Sequence, residues 1–244
     1  MNKLLQSILE TKTFRNSEGK VIEVHSETSK QQCEFLQSII QDNKFKNSLE
    51  IGFAFGASTL AITEAVAQNG GYHLVIDKFE NSHWGGSGLD LLQQAGYSEK
   101  LEFKEEFCYR VLPKLLEDGR KFDFTYIDST KQFDWLLVDF FYIDKILETN
   151  GIIVFDDAHM PGIRKLIRFI TQFPNYKLYS QFPKNLIPSK PNSLKKGLKY
   201  LPKAENYFKE DILKSDFELH LNATCAAIIK LGEDTRNWDW HQDF

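Results

Sequence analysis

The chain has 244 residues, of which 42% are hydrophobic, 14% aromatic and 26% charged, with a formal net charge of −4. This length closes a full core without disulfide or metal staples, and the charged fraction is that of ordinary globular domains, so disorder, collagen and coiled coil are excluded for the chain as a whole. The negative balance argues against a protein that coats nucleic acid, and no run approaches the roughly 20 apolar residues of a membrane span.

Cys33, Cys108 and Cys225 are odd in number, widely spaced and without a CxxC. That pattern excludes a disulfide framework or zinc knuckle and suits a reducing compartment. The start reaches Glu10 before a secretory core can form, so a cytoplasmic location is expected.

In chain order, residues 3–14 have amphipathic helical spacing, and 21–24 form a short extended piece. A stronger helix is predicted over 29–43, with Cys33, Phe35, Leu36, Ile39 and Ile40 on one face. Strands and helices then alternate. Strands are predicted over 48–52, 72–77, 101–107, 122–128, 151–156, 176–182 and 224–231, and helices over 58–68, 87–95, 109–117, 135–149 and 162–172. This alternation predicts an α/β fold, a doubly wound and largely parallel sheet with helices on both faces. Several strand runs are continuously apolar, as strands covered on both sides should be. A single domain over 1–244 is expected, with N-terminal helices over 1–47.

An insertion over 174–220 precedes the last strand. Between Lys177 and Lys209 it carries eight lysines against one acid, Glu205. It is either a solvated excursion or a basic cap that attracts an anionic acceptor or partner. The tail Trp238-Asp239-Trp240-His241 serves either core packing or a contact in a homo-oligomer.

The first informative constellation is Glu50-Ile51-Gly52-Phe53-Ala54-Phe55-Gly56-Ala57-Ser58, where a strand gives way to a helix. Gly52 and Gly56 permit a sharp turn and close approach of a ligand, and Ser58 is the expected N-cap. Ala54 and Ala57 stand where a dinucleotide fingerprint needs glycines, and no lysine follows as a phosphate-binding loop requires. Pyrophosphate is therefore disfavoured, and a nucleoside with positive charge remains. Glu50 suits an ammonium group. Asp77, ending the next strand, suits ribose hydroxyls.

These residues resemble the first motif of the class I S-adenosylmethionine-dependent methyltransferases. The likeness is to the catechol O-methyltransferase branch and its bacterial sugar and macrolide O-methyltransferase relatives, over roughly residues 29–172. The resemblance implies a seven-stranded sheet with an antiparallel last strand and S-adenosylmethionine across the first strand tips. It places Phe53 with Glu50, Gly52, Gly56, Ser58 and Asp77 at the cofactor, Cys108 and Tyr109 beside the adenine, and Asp128 at the cofactor edge. Trp84 either covers the cofactor or acceptor or packs internally.

Two further apolar strands end in acid, at Asp128 and at Asp156-Asp157. Neighbouring strands would crowd three carboxylates together, and like charges at that distance need a cation or protons. Mg²⁺ takes such oxygen ligands, whereas no Cys/His cluster favours zinc or copper. Alternatively, the acids cap turns. The catechol-type family holds its metal at positions matching Asp128, Asp156 and Asp157, with Asn in many relatives at the last. Its general base matches Lys131; His159 is the competing base or an extra ligand. His25, His73, His220 and His241 are left as structural.

The expected activity is metal-assisted O-methylation of a small-molecule hydroxyl on a sugar, phenol or natural-product intermediate, without nucleic-acid or membrane partners. The alternatives are a metal-independent N- or O-methyltransferase and an inactive interaction module of the same fold.

Overall fold

The structure, a computed structural model, describes residues 1–25, 28–184, 214, 216 and 218–241. Helix α1 (Lys3–Thr11) begins at Asn2, whose side chain accepts from the Leu4 and Leu5 amides. It leads into a small antiparallel hairpin, β1 (Thr13–Arg15) and β2 (Val21–Glu23). The N-terminal region is therefore not helical throughout. Lys12 turns the chain left-handed at φ 55°, so Thr13 and Phe14 leave the helix predicted to include them.

Helix α2 (Lys30–Asn43) starts as its spacing predicts, with Ser29 Oγ accepting the Gln32 amide at 3.1 Å. The chain then alternates through β3 (Asn47–Ile51), α3 (Ala57–Gln68), β4 (Tyr72–Ile76), α4 (Ser87–Gln94) and β5 (Leu101–Lys104). It continues through α5 (Cys108–Glu117), β6 (Phe122–Ile127), α6 (Phe133–Ile146), β7 (Leu147–Phe155), α7 (Pro161–Ile170), β8 (Tyr176–Phe182) and β9 (Cys225–Lys230). The helix predicted over 135–149 stops at Ile146. Leu147 is buried and pairs opposite Phe122, so the chain turns extended there, before the predicted strand start.

The seven-stranded sheet has the order β5-β4-β3-β6-β7-β9-β8. Only β9 runs antiparallel to its neighbours, as the resemblance implies. Helices α5, α6 and α7 cover one face through Leu112, Phe140, Ile143 and Ile167. Helices α2 and α3 cover the other through Leu36, Ile40, Ile62 and Val66 against Phe124, Tyr126 and Val154. Both faces are dry, which explains the unbroken apolar runs in β4, β7 and β9.

The switch in strand order falls between β3 and β6, and ligands bind beyond the carboxyl ends at such a point. Backbone hydrogen bonds carry the ladder one residue past each strand. Gly52 N donates to Ile76 O, Asp77 N to Lys104 O, Asp128 N to Ile51 O and Asp156 N to Ile127 O. Four strand tips are thereby fixed in one row.

At the far end, Trp240 packs on Phe169 and Phe173, while Trp238 stands 98% exposed. Most of the basic insertion, including residues 185–213, lies outside the described residues. Among the described residues, no helix is long and apolar enough to cross a membrane.

Candidate active site

The glycine turn is shaped by close backbone approach. Gly52 has φ +103°, and a Cβ there would lie 2.0 Å from the Asp128 carbonyl oxygen. Gly56 has φ +78° and is itself the N-cap of α3. Ser58 is therefore not the cap. It lies in the first turn, and its hydroxyl donates to Glu50 Oε1 at 2.6 Å. Ala54 is held at φ 47° and Asp157 at φ 49°, a conformation that costs a non-glycine residue roughly 1 kcal/mol or more and that concentrates at functional sites.

Asp77 anchors this turn. Its Oδ2 accepts from the Phe53 amide at 2.8 Å and its Oδ1 from the Phe79 amide at 2.7 Å. Beside it opens a cleft of about 460 Å³, bounded by Gly52, Phe53, Asp77, Phe107, Cys108 and Trp135, a size and apolar character suited to a small ligand. Ser129 also lines this cleft, and its Oγ is buried without a hydrogen-bond partner. Cys108 lines this cleft, whereas Tyr109 is 38% exposed and stacked on Phe107 outside the lining.

A second lobe of about 240 Å³ shares Gly52, Phe53, Ala54, Trp84 and Asp128 with the first. It adds His25, Phe55, Ser58, Asp156 and Asp157. Trp84 lines both lobes, and its ring packs edge-on against Phe55 at 5.0 Å. His25 lines this lobe as well.

Glu50 is fully buried and does not line either lobe. Its second oxygen lies 2.9 Å from His73 Nε2, so it acts on the cleft through Ser58. His73 has partners on both ring nitrogens, since Nδ1 lies 2.8 Å from Ser48 Oγ. Both partners come from the adjacent strand β3.

The three aspartates do converge. Asp128, Asp156 and Asp157 each offer an oxygen, and these oxygens lie within 4.8 Å of one another. Burial, and then the nearby Asp128 carboxylate, pushes Asp156 up to about 6. Asp156 Oδ1 accepts from Gln32 Nε2 at 2.9 Å and from the Cys225 thiol at 3.3 Å. Gln32 Nε2 also reaches the Tyr126 hydroxyl at 3.1 Å. These supporting residues were not picked from the sequence. The one signal was a glutamine on the apolar side of its helix.

Lys131 Nζ lies 2.7 Å from Asp128 Oδ1 and 3.0 Å from Asp157 Oδ2. Burial works against its charge, but these two carboxylates outweigh burial and hold its pKa above the ordinary lysine value. His159 is exposed and lines neither lobe. The donor set of hard oxygens fits Mg²⁺, and the apolar cleft with Asp77 and the unpartnered Ser129 hydroxyl fits an adenosyl group.

Residues 4–165 match the O-methyltransferase family. The caffeoyl-CoA O-methyltransferase 1 of Eucalyptus globulus is 27% identical over 70% of this chain and 76% of its own length. The caffeoyl-CoA O-methyltransferase 2 of Petunia hybrida is 30% identical over 60% of this chain and 63% of its own. Among solved structures, the O-methyltransferase TomG of Streptomyces achromogenes, in complex with S-adenosylmethionine, aligns with TM-score 0.64 at 15% identity. That alignment covers 95% of this chain and 91% of the other. A Bacillus cereus O-methyltransferase in complex with S-adenosylhomocysteine aligns with TM-score 0.60 at 20% identity, over 73% and 83%. With about two thirds of its length inside the family match, and with the glycine turn, the strand-end Asp77 and the converging strand tips in place, the chain belongs to the S-adenosylmethionine-dependent O-methyltransferases.

Proposed function

We propose that the protein methylates a hydroxyl of a small molecule (a phenol, a sugar or a natural-product intermediate) with the help of a divalent cation. The observation that carries this is the meeting of Asp128, Asp156 and Asp157 in the lining of the second lobe.

The first lobe takes the adenosine. Asp77, already fixed by two backbone amides, presents its carboxylate to the ribose, and Phe107 and Trp135 flank the base. The second lobe takes the aminoacyl end beside Ser58 and the acceptor beside the aspartates. S-adenosylmethionine supplies an electrophilic methyl group on its sulfonium. Asp128, Asp156 and Asp157 would hold Mg²⁺, which when bound orients the acceptor and acidifies its hydroxyl. With Asp128 and Asp157 engaged by the cation, Lys131 would lose the partners that hold its charge and release its own proton to solvent, and its neutral amine would then take the proton that the acceptor oxygen gives up as it gains the methyl. Trp84 and Phe55 exclude water from the same lobe. Catalysis of this kind comes chiefly from holding the two reactants in line.

A second reading, methyl transfer without a metal, draws on Lys131, whose ammonium already neutralises Asp128 and Asp157. Turnover against a panel of phenols and sugars, with and without excess EDTA, separates the two. Loss of activity in EDTA, restored by Mg²⁺, supports metal assistance; an unchanged rate supports the lysine alone.

A further inference from the structure

Asp156 is held from behind by buried donors on two different elements. It follows β7 directly, and β9 pairs antiparallel with β7 so that Ala226 stands opposite Phe155. That register brings Cys225 alongside Asp156, and the thiol donates to Asp156 Oδ1 at 3.3 Å. Gln32, in the first turn of α2, donates through Nε2 to the same oxygen at 2.9 Å. The Gln32 amide is itself held by β6, since Nε2 also reaches the Tyr126 hydroxyl at 3.1 Å. Gln32, Tyr126 and Cys225 are all buried.

A buried amide is costly unless its hydrogens find acceptors, and Nε2 of Gln32 has one on each side. The terminal torsion of an aspartate is soft, so its carboxylate takes its orientation from the groups that bond it. Both donors reach Oδ1, which leaves Oδ2 for a ligand in the second lobe that Asp156 lines. Gln32 and Cys225 line neither lobe, so they act on the site through the carboxylate they touch.

We infer that Gln32 and Cys225 are positioning residues for the divalent cation: they pin one oxygen of Asp156 and so hold the other for the metal. The inference rests on the proposed metal assistance. A thiol is a weak donor, so Gln32 carries the larger share, and either donor alone keeps part of the orientation.

The test is Mn²⁺ titration followed by paramagnetic resonance. Calorimetric binding of S-adenosylhomocysteine to the metal-free protein and thermal unfolding are measured alongside. Gln32→Met, of similar length but without a donor, should weaken Mn²⁺ about tenfold, Cys225→Ala about fivefold, and the double variant about a hundredfold, the scale of lost hydrogen bonds to a metal-binding carboxylate. Cys225→Ser keeps a donor and should stay within about twofold of wild type. Metal-free affinity for S-adenosylhomocysteine should stay within about twofold in every variant, because the substituted side chains lie outside both lobes. Should Gln32→Met fail to fold, the contrast between Cys225→Ala and Cys225→Ser decides. Wild-type Mn²⁺ affinity in the double variant, or in Cys225→Ala where the double does not fold, would overturn the inference. Parallel losses of Mn²⁺ and S-adenosylhomocysteine would also overturn it, since they mark a general loosening of the fold. Failure of the wild-type protein to bind Mn²⁺ would instead overturn the metal reading, and the inference with it.

Discussion

Lys131 Nζ reaches Asp157 Oδ2 at 3.0 Å, so a side-chain ammonium spans carboxylates that would also hold a divalent cation. Lysine and metal then compete for the same oxygens. Lys131→Met should tighten Mn²⁺ binding by about tenfold, equivalent to about 1.4 kcal/mol, while lowering methyl transfer by roughly a hundredfold as the proton acceptor is lost. Titration of Mn²⁺ followed by paramagnetic resonance gives the first quantity, and transfer of a labelled methyl group the second. Equal Mn²⁺ affinity in the two proteins would refute the competition.

Asn at position 157 would keep an oxygen there, and an amide oxygen still serves a hard cation. Asp157→Asn should therefore keep Mn²⁺ binding within about tenfold, whereas Asp156→Ala, which also strips Gln32 and Cys225 of their acceptor, should abolish it. The same titration checks both variants, with circular dichroism to confirm folding. Retained binding in Asp156→Ala would place the metal elsewhere.

Gly52 and Gly70 separate steric from conformational need. Both have positive φ, but a Cβ at Gly70 meets nothing within 4 Å while one at Gly52 meets the Asp128 carbonyl. Gly70→Ala should cost about 1 kcal/mol, from φ alone. Gly52→Ala should cost about 3 kcal/mol or more and abolish binding of S-adenosylhomocysteine, because the Asp128 strand tip must move. Chemical denaturation and calorimetry measure the pair; equal costs would show that the close approach is relieved cheaply.

Glu80 provides a pH signature away from the aspartates. Its Oε1 accepts from the Gly88 and Leu89 amides, while Oε2 is buried without a partner. Burial pushes its pKa from 4.5 up to about 7, with the two amide bonds pulling the other way. Between those values the folded state binds more protons than the unfolded one, so this group's stabilisation is complete below 4.5 and is lost as pH rises to 7. Glu80→Gln should remove that slope, worth roughly 2–3 kcal/mol across the window. Urea denaturation at pH 4.5, 6 and 7.5 tests this. Parallel curves for the two proteins would mean that Glu80 titrates normally.

The sheet and the three aspartates were legible because their signal is local. An apolar run ending in acid marks a strand tip whether or not its neighbours are known. What escaped was set by tertiary partners. The hairpin strand β1 is three residues long, too short for a period to register, whereas β2 falls within the extended piece expected over 21–24. Ser58 looked like a cap because the left-handed turn at Gly56, which moves the cap two residues earlier, depends on φ. His73 looked unpartnered because its contacts follow from the register pairing it with Ser48, which no single-strand pattern reveals. His159, adjacent in sequence to the aspartates, lies outside both lobes because the chain bends left-handed at Asp157.

In the lobe proposed for the adenosine, neighbouring residues of α5 part company. Cys108 and Tyr109 were both expected beside the adenine, but the helix α5 turn sends Cys108 into the cleft and Tyr109 out of it. Trp135, from the first turn of α6, lines the cleft instead and meets Phe107 edge-on at 6.3 Å. An aromatic wall flanking a base contributes on the order of 1–3 kcal/mol. Trp135→Ala should therefore weaken S-adenosylhomocysteine about tenfold, and Tyr109→Ala by less than about threefold, since it removes only the ring stacked behind Phe107. Calorimetric titration of the two variants decides. A larger loss from Tyr109 than from Trp135 would mean that the base lies on the outer side of Phe107, and the first lobe would then have to be reassigned.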